Sequence, residues 1–293
     1  MLIDVFTYTQ ASPNAPLDIE SLIRAAKSAR LDGIAVTDRN SSNRAREYSA
    51  IAGRENFFVA HGIELETSAG RVVAFPAQID DEYVSESWRS LGDHPAIEDV
   101  LEFFHARGGI VVARDVFNRG EGLKDRVYSA RDSKGRSFDA IDTISVYRRR
   151  IDNELSIEAQ QVLGIPACAG SGVFDNPEDI GHCATLFAAS IHDQASFVAA
   201  MRSPLHWACA LRDLGPACPM GTPPRTEEDD RHRDDRRRGE RRFDGRRDGE
   251  RRSGRGNEER RGDDRRNDRR RNHSNQDDRR HNSRTGNGRG RRR

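Results

Sequence analysis

The chain has 293 residues, 33% of them charged and 34% hydrophobic, with 49 Lys plus Arg against 48 Asp plus Glu and a net charge of +1. That balance hides two segments of opposite sign: from Arg225 onward there are 27 Arg, no Lys and 17 acids, net +10, which leaves 22 basic and 31 acidic residues, net −9, in 1–224. No run reaches the ~18 apolar residues of a membrane span and no basic stretch leads into an apolar one at the N-terminus, so the composition predicts a soluble, cytoplasmic protein without membrane contact. In chain order, residues 2–6 read as a strand and 17–26 as a helix, with Asp18 as N-cap and Leu22, Ala25, Ala26 and Ala29 on one face. Residues 33–37 form a continuous apolar strand, of the kind buried on both sides in parallel sheets. A helix over 43–52, strands at 57–64 and 71–75, and a helix over 96–106 follow, the last with Ile97, Val100, Leu101 and Phe104 at helical spacing. Strands at 109–113 and 140–146, a helix over 153–163, short strands at 165–169 and 184–188 and a helix over 194–201 complete the pattern. Residues 114–138, rich in Arg, Asp, Gly and Ser, read as one long polar loop beyond a strand end.

Strands of about five residues separated by helices imply parallel βαβ units. Roughly seven of them predict an α/β fold, a closed or nearly closed β/α barrel, over 1–215. Pro216, Pro219, Pro223 and Pro224 mark a linker over 216–224. Residues 225–293 hold one apolar side chain, Phe243, which cannot offset the entropy of ordering the backbone, so this tail is expected to be disordered. Cys168, Cys183, Cys209 and Cys218 form no C-x-x-C pair and sit in apolar surroundings, which predicts buried free thiols.

Chemistry-bearing residues recur at the strand ends. They are Phe6 and Tyr8 in the first strand, Asp38 and Arg39 after the second, Glu64 in the third, Arg114 after 109–113, and Gly172 and Phe174 after 165–169. In order and spacing these segments resemble the metal-binding motifs of the PHP (polymerase and histidinol phosphatase) family of phosphoesterases. The likeness is strongest in Leu31-Asp32-Gly33-Ile34-Ala35-Val36-Thr37-Asp38 and Gly108-Gly109-Ile110-Val111-Val112-Ala113. The resemblance implies a distorted seven-stranded barrel. It also implies that the motifs His-x-His, Asp-His, Glu, His and Asp-x-His stand here as Phe6 and Tyr8, Asp38 and Arg39, Glu64, Arg114, and Gly172 and Phe174.

Phe6 has no lone pair to donate, and neutral Tyr8 is a poor ligand. Arg39 and Arg114 place permanent cations where the family has neutral ligands. Two arrangements follow: the arginines pair with Asp38 and Glu64, guanidinium charge replacing metal charge, or Arg39 and Asp38 diverge at a loop. His61 lies three positions before Glu64 and faces away from it on a regular strand. His94, His105, His192 and His206 lack ligand spacing, and His182 beside Cys183 reads as packing or surface. No metal, cofactor or catalytic residue is expected. Arg119, Arg148, Arg149 and Arg150, near the predicted pocket mouth, form a candidate phosphate-binding set, with a solvated charged face as the plainer reading.

Arginine without lysine suits a tail that contacts RNA, because guanidinium forks onto phosphates and stacks on bases. Positive charge concentrates in Arg279, Arg280, Arg284, Arg289, Arg291, Arg292 and Arg293, which face only Asp278 from 278 onward. The 17 acids of the tail equally allow chain-to-chain ion pairing. Three functions stay open: an inactive PHP-like scaffold or binding module with an RNA-binding tail, a phosphoesterase of altered site chemistry acting on nucleotides or phosphorylated small molecules, and a protein-binding module whose tail drives self-assembly.

Overall fold

A computed structural model describes residues 1–118 and 122–212, all within one compact unit, Met1–Arg225. The expected linker and tail, Arg119 and Cys218 lie outside the described residues. The elements are β1 (Leu2–Thr7), α1 (Ile19–Ser28), β2 (Gly33–Arg39), α2 (Ala45–Arg54), β3 (Phe58–Thr67), β4 (Gly70–Phe75), α3 (Asp81–Val84), α4 (Ile97–Ala106), β5 (Ile110–Ala113), α5 (Lys124–Ser129), β6 (Ala140–Ile144), α6 (Arg150–Leu163), β7 (Ala167–Ala169), β8 (Cys183–Phe187), α7 (Gln194–Arg202) and β9 (His206–Ala210). Asp18 caps α1 as expected, its Oδ1 accepting from the Ser21 N–H at 2.7 Å. Leu22 and Ala26 of α1 and Ile97, Val100, Leu101 and Phe104 of α4 are buried.

The strands form one sheet in the order β7-β6-β5-β4-β3-β2-β1-β8-β9. Parallel pairing holds for β1 with β2, β2 with β3, β5 with β6 and β6 with β7. The all-parallel expectation fails at β4, which is antiparallel to both β3 and β5, and at β8, which is antiparallel to β1 and β9. The cause is local. Only Ser68 and Ala69 separate β3 from β4, and so short a link permits only a hairpin.

The nearly closed barrel runs through β1 to β7, and the chain after β7 returns to β1. Gly172 N–H donates to Phe6 O (2.9 Å), Tyr8 N–H donates to Val173 O (3.0 Å), and Thr7 bridges Val173 in parallel. The free edge of β7 is met by a side chain. The Thr185 hydroxyl donates to Ala169 O and accepts from Ala169 N–H, both at 2.9 Å. At the end where the parallel strands begin, Phe197 of α7 packs on Phe75, Phe187 and Phe58 with ring centroids 5.1, 5.9 and 6.1 Å away. That end is a dry aromatic plug, so polar groups collect at the other, C-terminal end.

The described residues of 114–138 form more than a polar loop. They contain α5 and bury Val116, Leu123, Val127, Ala130 and Phe138, anchors too widely spaced to read as an element. Their return to β6 is fastened by buried His105, whose two ring nitrogens lie 2.9 Å from Asp132 Oδ2 and 2.9 Å from Asp139 Oδ2. Both carboxylates accept, so the imidazolium satisfies both contacts. Cys168 is a buried free thiol, Cys209 is a half-buried one, and Cys183 is buried. No described helix is long and apolar enough to cross a membrane.

Burial disfavours the charge on His105, but Asp139 and Asp132 outweigh it and raise its pKa above the ordinary 6.5. A raised native pKa gives stability that is full below 6.5 and is lost as pH climbs through the native value. Denaturant midpoints measured from pH 6 to 9 should therefore fall for the parent chain relative to His105→Gln, and parallel curves would refute the clamp.

Candidate functional site

The sequence motifs converge at the C-terminal ends of the barrel strands. Glu64 of β3, almost fully buried, is the hub. The Tyr8 hydroxyl donates to its Oε2, Arg39 Nε donates to Oε1 at 2.8 Å, and Arg71 and Arg114 stand 3.7 and 3.6 Å from its two oxygens. Phe6 stacks on Arg114, whose guanidinium carbon lies 4.0 Å from the ring centroid. The Arg39 guanidinium carbon is 5.2 Å from the rings of both Tyr8 and Phe174, a cation–π arrangement that holds its half-exposed fork in place. Gly172 has φ +67°, and a Cβ there would stand 3.1 Å from Arg114 Nη2. The seam between β1 and 172–174 thus brings Phe6, Tyr8, Gly172 and Phe174 together around two arginines.

Asp38 does not join them. Adjacent strand residues face opposite ways, so Arg39 turns to Glu64 while Asp38 accepts from Thr9 N–H (2.6 Å), Thr9 Oγ1 (2.7 Å) and Ser12 Oγ (2.7 Å). Burial raises its pKa against those hydrogen bonds. Of the two pairings proposed for the arginines, only that with Glu64 forms.

The second partner of Arg114 is Asp142, in the middle of β6 and completely buried. Arg114 Nη1 donates to Asp142 Oδ2 at 2.5 Å, and Arg148 Nη2 donates to Oδ1 at 2.8 Å. Arg148 also donates to Asp142 O at 3.0 Å and lies 3.7 Å from Asp115, which in turn is 3.6 Å from Arg71. Arg148 is therefore not a pocket-mouth residue but a buried strut. Arg149 and Arg150 do not accompany it: they sit at the start of α6, paired with Asp152 and with Glu154. The proposed phosphate-binding set is not assembled among the described residues. The sequence signal for Asp142 was an acid inside the apolar run Ala140-Ile141-Asp142-Thr143-Ile144, since a buried acid needs a counter-charge.

Burial opposes the Arg114 charge, but the carboxylates of Asp142, Asp115 and Glu64 outweigh it. Desolvation of Asp115 is likewise overcome by Arg114, Arg148 and Arg71, which hold it below the usual carboxylate range. Complete burial pulls Asp142 upward, against Arg148 and Arg114, and burial holds the Tyr8 phenol neutral. Next to the cluster, burial pushes Asp4 up to about 6 although it accepts from Ser171, Gly181 and Phe6 backbone N–H groups. His61, on the outer face of β3, is bonded to Ser49 Oγ at 2.8 Å, and burial lowers it to about 4. His182 faces Asp179 and Arg212.

The donor set does not suit a divalent metal. Each carboxylate of the cluster is already engaged by guanidinium, Phe6 offers no lone pair, and no group of three or more His, Cys, Asp or Glu among the described residues is placed to hold an ion. What remains open is a pocket of about 250 Å³ lined by Arg39, Asn40, Glu64, Glu66 and Arg71.

No protein-family model matches the sequence, and no curated protein matches it. Among solved structures, PsfC from Pseudomonas syringae PB-5123 is similar in fold, with 17% identity over 73% of this chain and 93% of PsfC and a TM-score of 0.51. A two-domain protein from Bacteroides vulgatus ATCC 8482 containing a predicted PHP-like metal-dependent phosphoesterase has 12% identity over 71% of this chain and 64% of that one, TM-score 0.48. An amidohydrolase from Chromobacterium violaceum, with bound sulfate and no metal, has 16% identity over 61% and 90%, TM-score 0.45. The fold is an α/β, nearly closed barrel shared with PsfC.

Removing one partner of a buried ion pair strands the other charge, at a cost of ~3–5 kcal/mol. Arg114→Met should therefore lower stability by about that much in urea titration, and Arg114→Met with Asp142→Leu should recover part of it. The exposed pair Arg46–Asp81 supplies the control: Arg46→Met should leave stability almost unchanged.

Proposed function

We propose that this is a PHP-like domain that has given up metal-dependent phosphoester chemistry and works as a binding or scaffolding module, with an arginine-rich tail that engages RNA. The observation that carries the reading is the Arg114 guanidinium, buried against Phe6 and paired with Glu64 and Asp142 at a position where the family motifs would put a metal ligand. A divalent ion there would be repelled by Arg114 and Arg39 and would have to displace them from Glu64. Hydrolysis by this family needs a bound ion to activate water, but Arg39 and Arg114 have taken Glu64, and Asp38 is held by Thr9 and Ser12. The ordered motif positions support descent from a metal-binding barrel, and their altered residues support loss of its reaction.

The RNA assignment rests on composition. A segment with 27 Arg and no Lys binds single strands through phosphates and stacking, with low sequence preference. A protein partner on the barrel is a further element of the scaffold reading.

Purified protein should contain no stoichiometric manganese, zinc or magnesium and should not hydrolyse a generic phosphodiester or phosphomonoester when those ions are added. Robust turnover abolished by Glu64→Ala would instead establish an altered phosphoesterase. Deleting 225–293 should reduce affinity for single-stranded RNA at least ~10-fold at low salt and flatten its dependence on log salt. If binding and slope survive the deletion, the tail is not the RNA-binding element.

A further inference from the structure

The polarity of α6 is inverted for a helix packed on a barrel. It buries Asp152, Asn153, Ser156 and Ala159 while Ile151, Leu155 and Val162 are 49, 36 and 70% exposed. The inward polar groups are used. The Asn153 side chain donates to Ser145 O at 3.1 Å and accepts from Ser145 N–H at 3.3 Å, Ser156 donates to Asp152 O at 2.8 Å, and Arg148 Nη1 lies 3.4 Å from Ser156 Oγ. That face is polar because it backs the buried arginine network. The outward apolar face has no such explanation among the described residues, and its exposed aliphatic side chains forgo burial.

At about 100° per residue, Ile151, Leu155, Glu158 and Val162 fall in one narrow stripe. Their spacing of four, three and four residues is that of a coiled-coil seam, and it reads the same from either end. An antiparallel copy related by a two-fold axis therefore lays Ile151 on Val162 and Leu155 on the aliphatic stem of Glu158, twice over. Along one flank the same operation sets Glu154 opposite Gln161, a carboxylate facing an amide donor. This self-complementarity singles out the occupant. We propose that α6 pairs with α6 of a second copy of this chain, giving a weak, apolar, two-fold dimer.

The area is that of one helix face, which places the dimer at micromolar affinity or weaker. The full chain, tail included, is examined by sedimentation equilibrium up to several hundred micromolar. Sodium chloride at about 0.5 M screens ion pairing between tails. The proposal expects a monomer–dimer equilibrium that persists at this salt. Leu155→Glu and Val162→Glu, both at exposed positions, should each weaken it at least tenfold with an unchanged far-ultraviolet spectrum, and Glu158→Leu should tighten it. A strict monomer overturns the proposal. So does an assembly that ignores Leu155→Glu, or one that dissolves at high salt, which would place self-association in the tail.

Discussion

A carboxylate buried at the end of a barrel must find counter-charge, and Glu64 finds it in Arg39, Arg71 and Arg114 together with the Tyr8 hydroxyl. Most of the unusual residues in this chain follow from that requirement. Phe6 supplies a ring face for Arg114, Tyr8 and Phe174 flank Arg39, and Gly172 leaves room for the Arg114 fork. Where a metal cluster would neutralise acids with one concentrated charge, guanidinium spreads its charge over a plane and reaches several carboxylates at once. Arg114 thereby links Glu64 on β3 to Asp142 on β6, across the barrel.

The same requirement shapes the elements behind the cluster. Asp142, fully buried and already paired with Arg114, takes a second cation from Arg148, which folds back from the turn after β6. Asn153 and Ser156 then hold that turn and Arg148 in place, which obliges α6 to present polar residues inward. The inversion of α6 is thus a consequence of burying the Arg148 charge four residues beyond the end of β6. At the other end of the barrel the Phe197, Phe75, Phe187 and Phe58 rings exclude water, so the two ends divide into a dry structural plug and a charged, partly open face.

Much of this was legible before any coordinates. Local rules located the elements: the Asp18 cap, the apolar strand 33–37 and the helical spacing of Ile97, Val100, Leu101 and Phe104 all appear as read. Phe6, Tyr8, Arg39, Glu64, Arg114, Gly172 and Phe174 come together in one cluster, and Asp38 stays outside it. What escaped the reading were features in which a residue's role depends on a distant neighbour. Asp38 and Arg39 are adjacent in sequence but face opposite sides of β2. Arg148 belongs to Asp142 rather than to Arg149 and Arg150. His105, without ligand spacing in sequence, meets Asp132 and Asp139 only because 130–139 folds back over α4.

The sequence by itself determined the α/β alternation, the opposite net charges of 1–224 and 225–293, and the phenyl rings and arginines at the strand ends. These depend on residue type and short-range period, which a single chain displays directly. Tertiary structure alone decided which acid each arginine neutralises, that β4 and β8 run antiparallel, and that α6 turns its aliphatic side chains outward. Those outcomes are set by competition among several possible partners for each buried charge, and only the nearly closed barrel fixes which partners lie within reach.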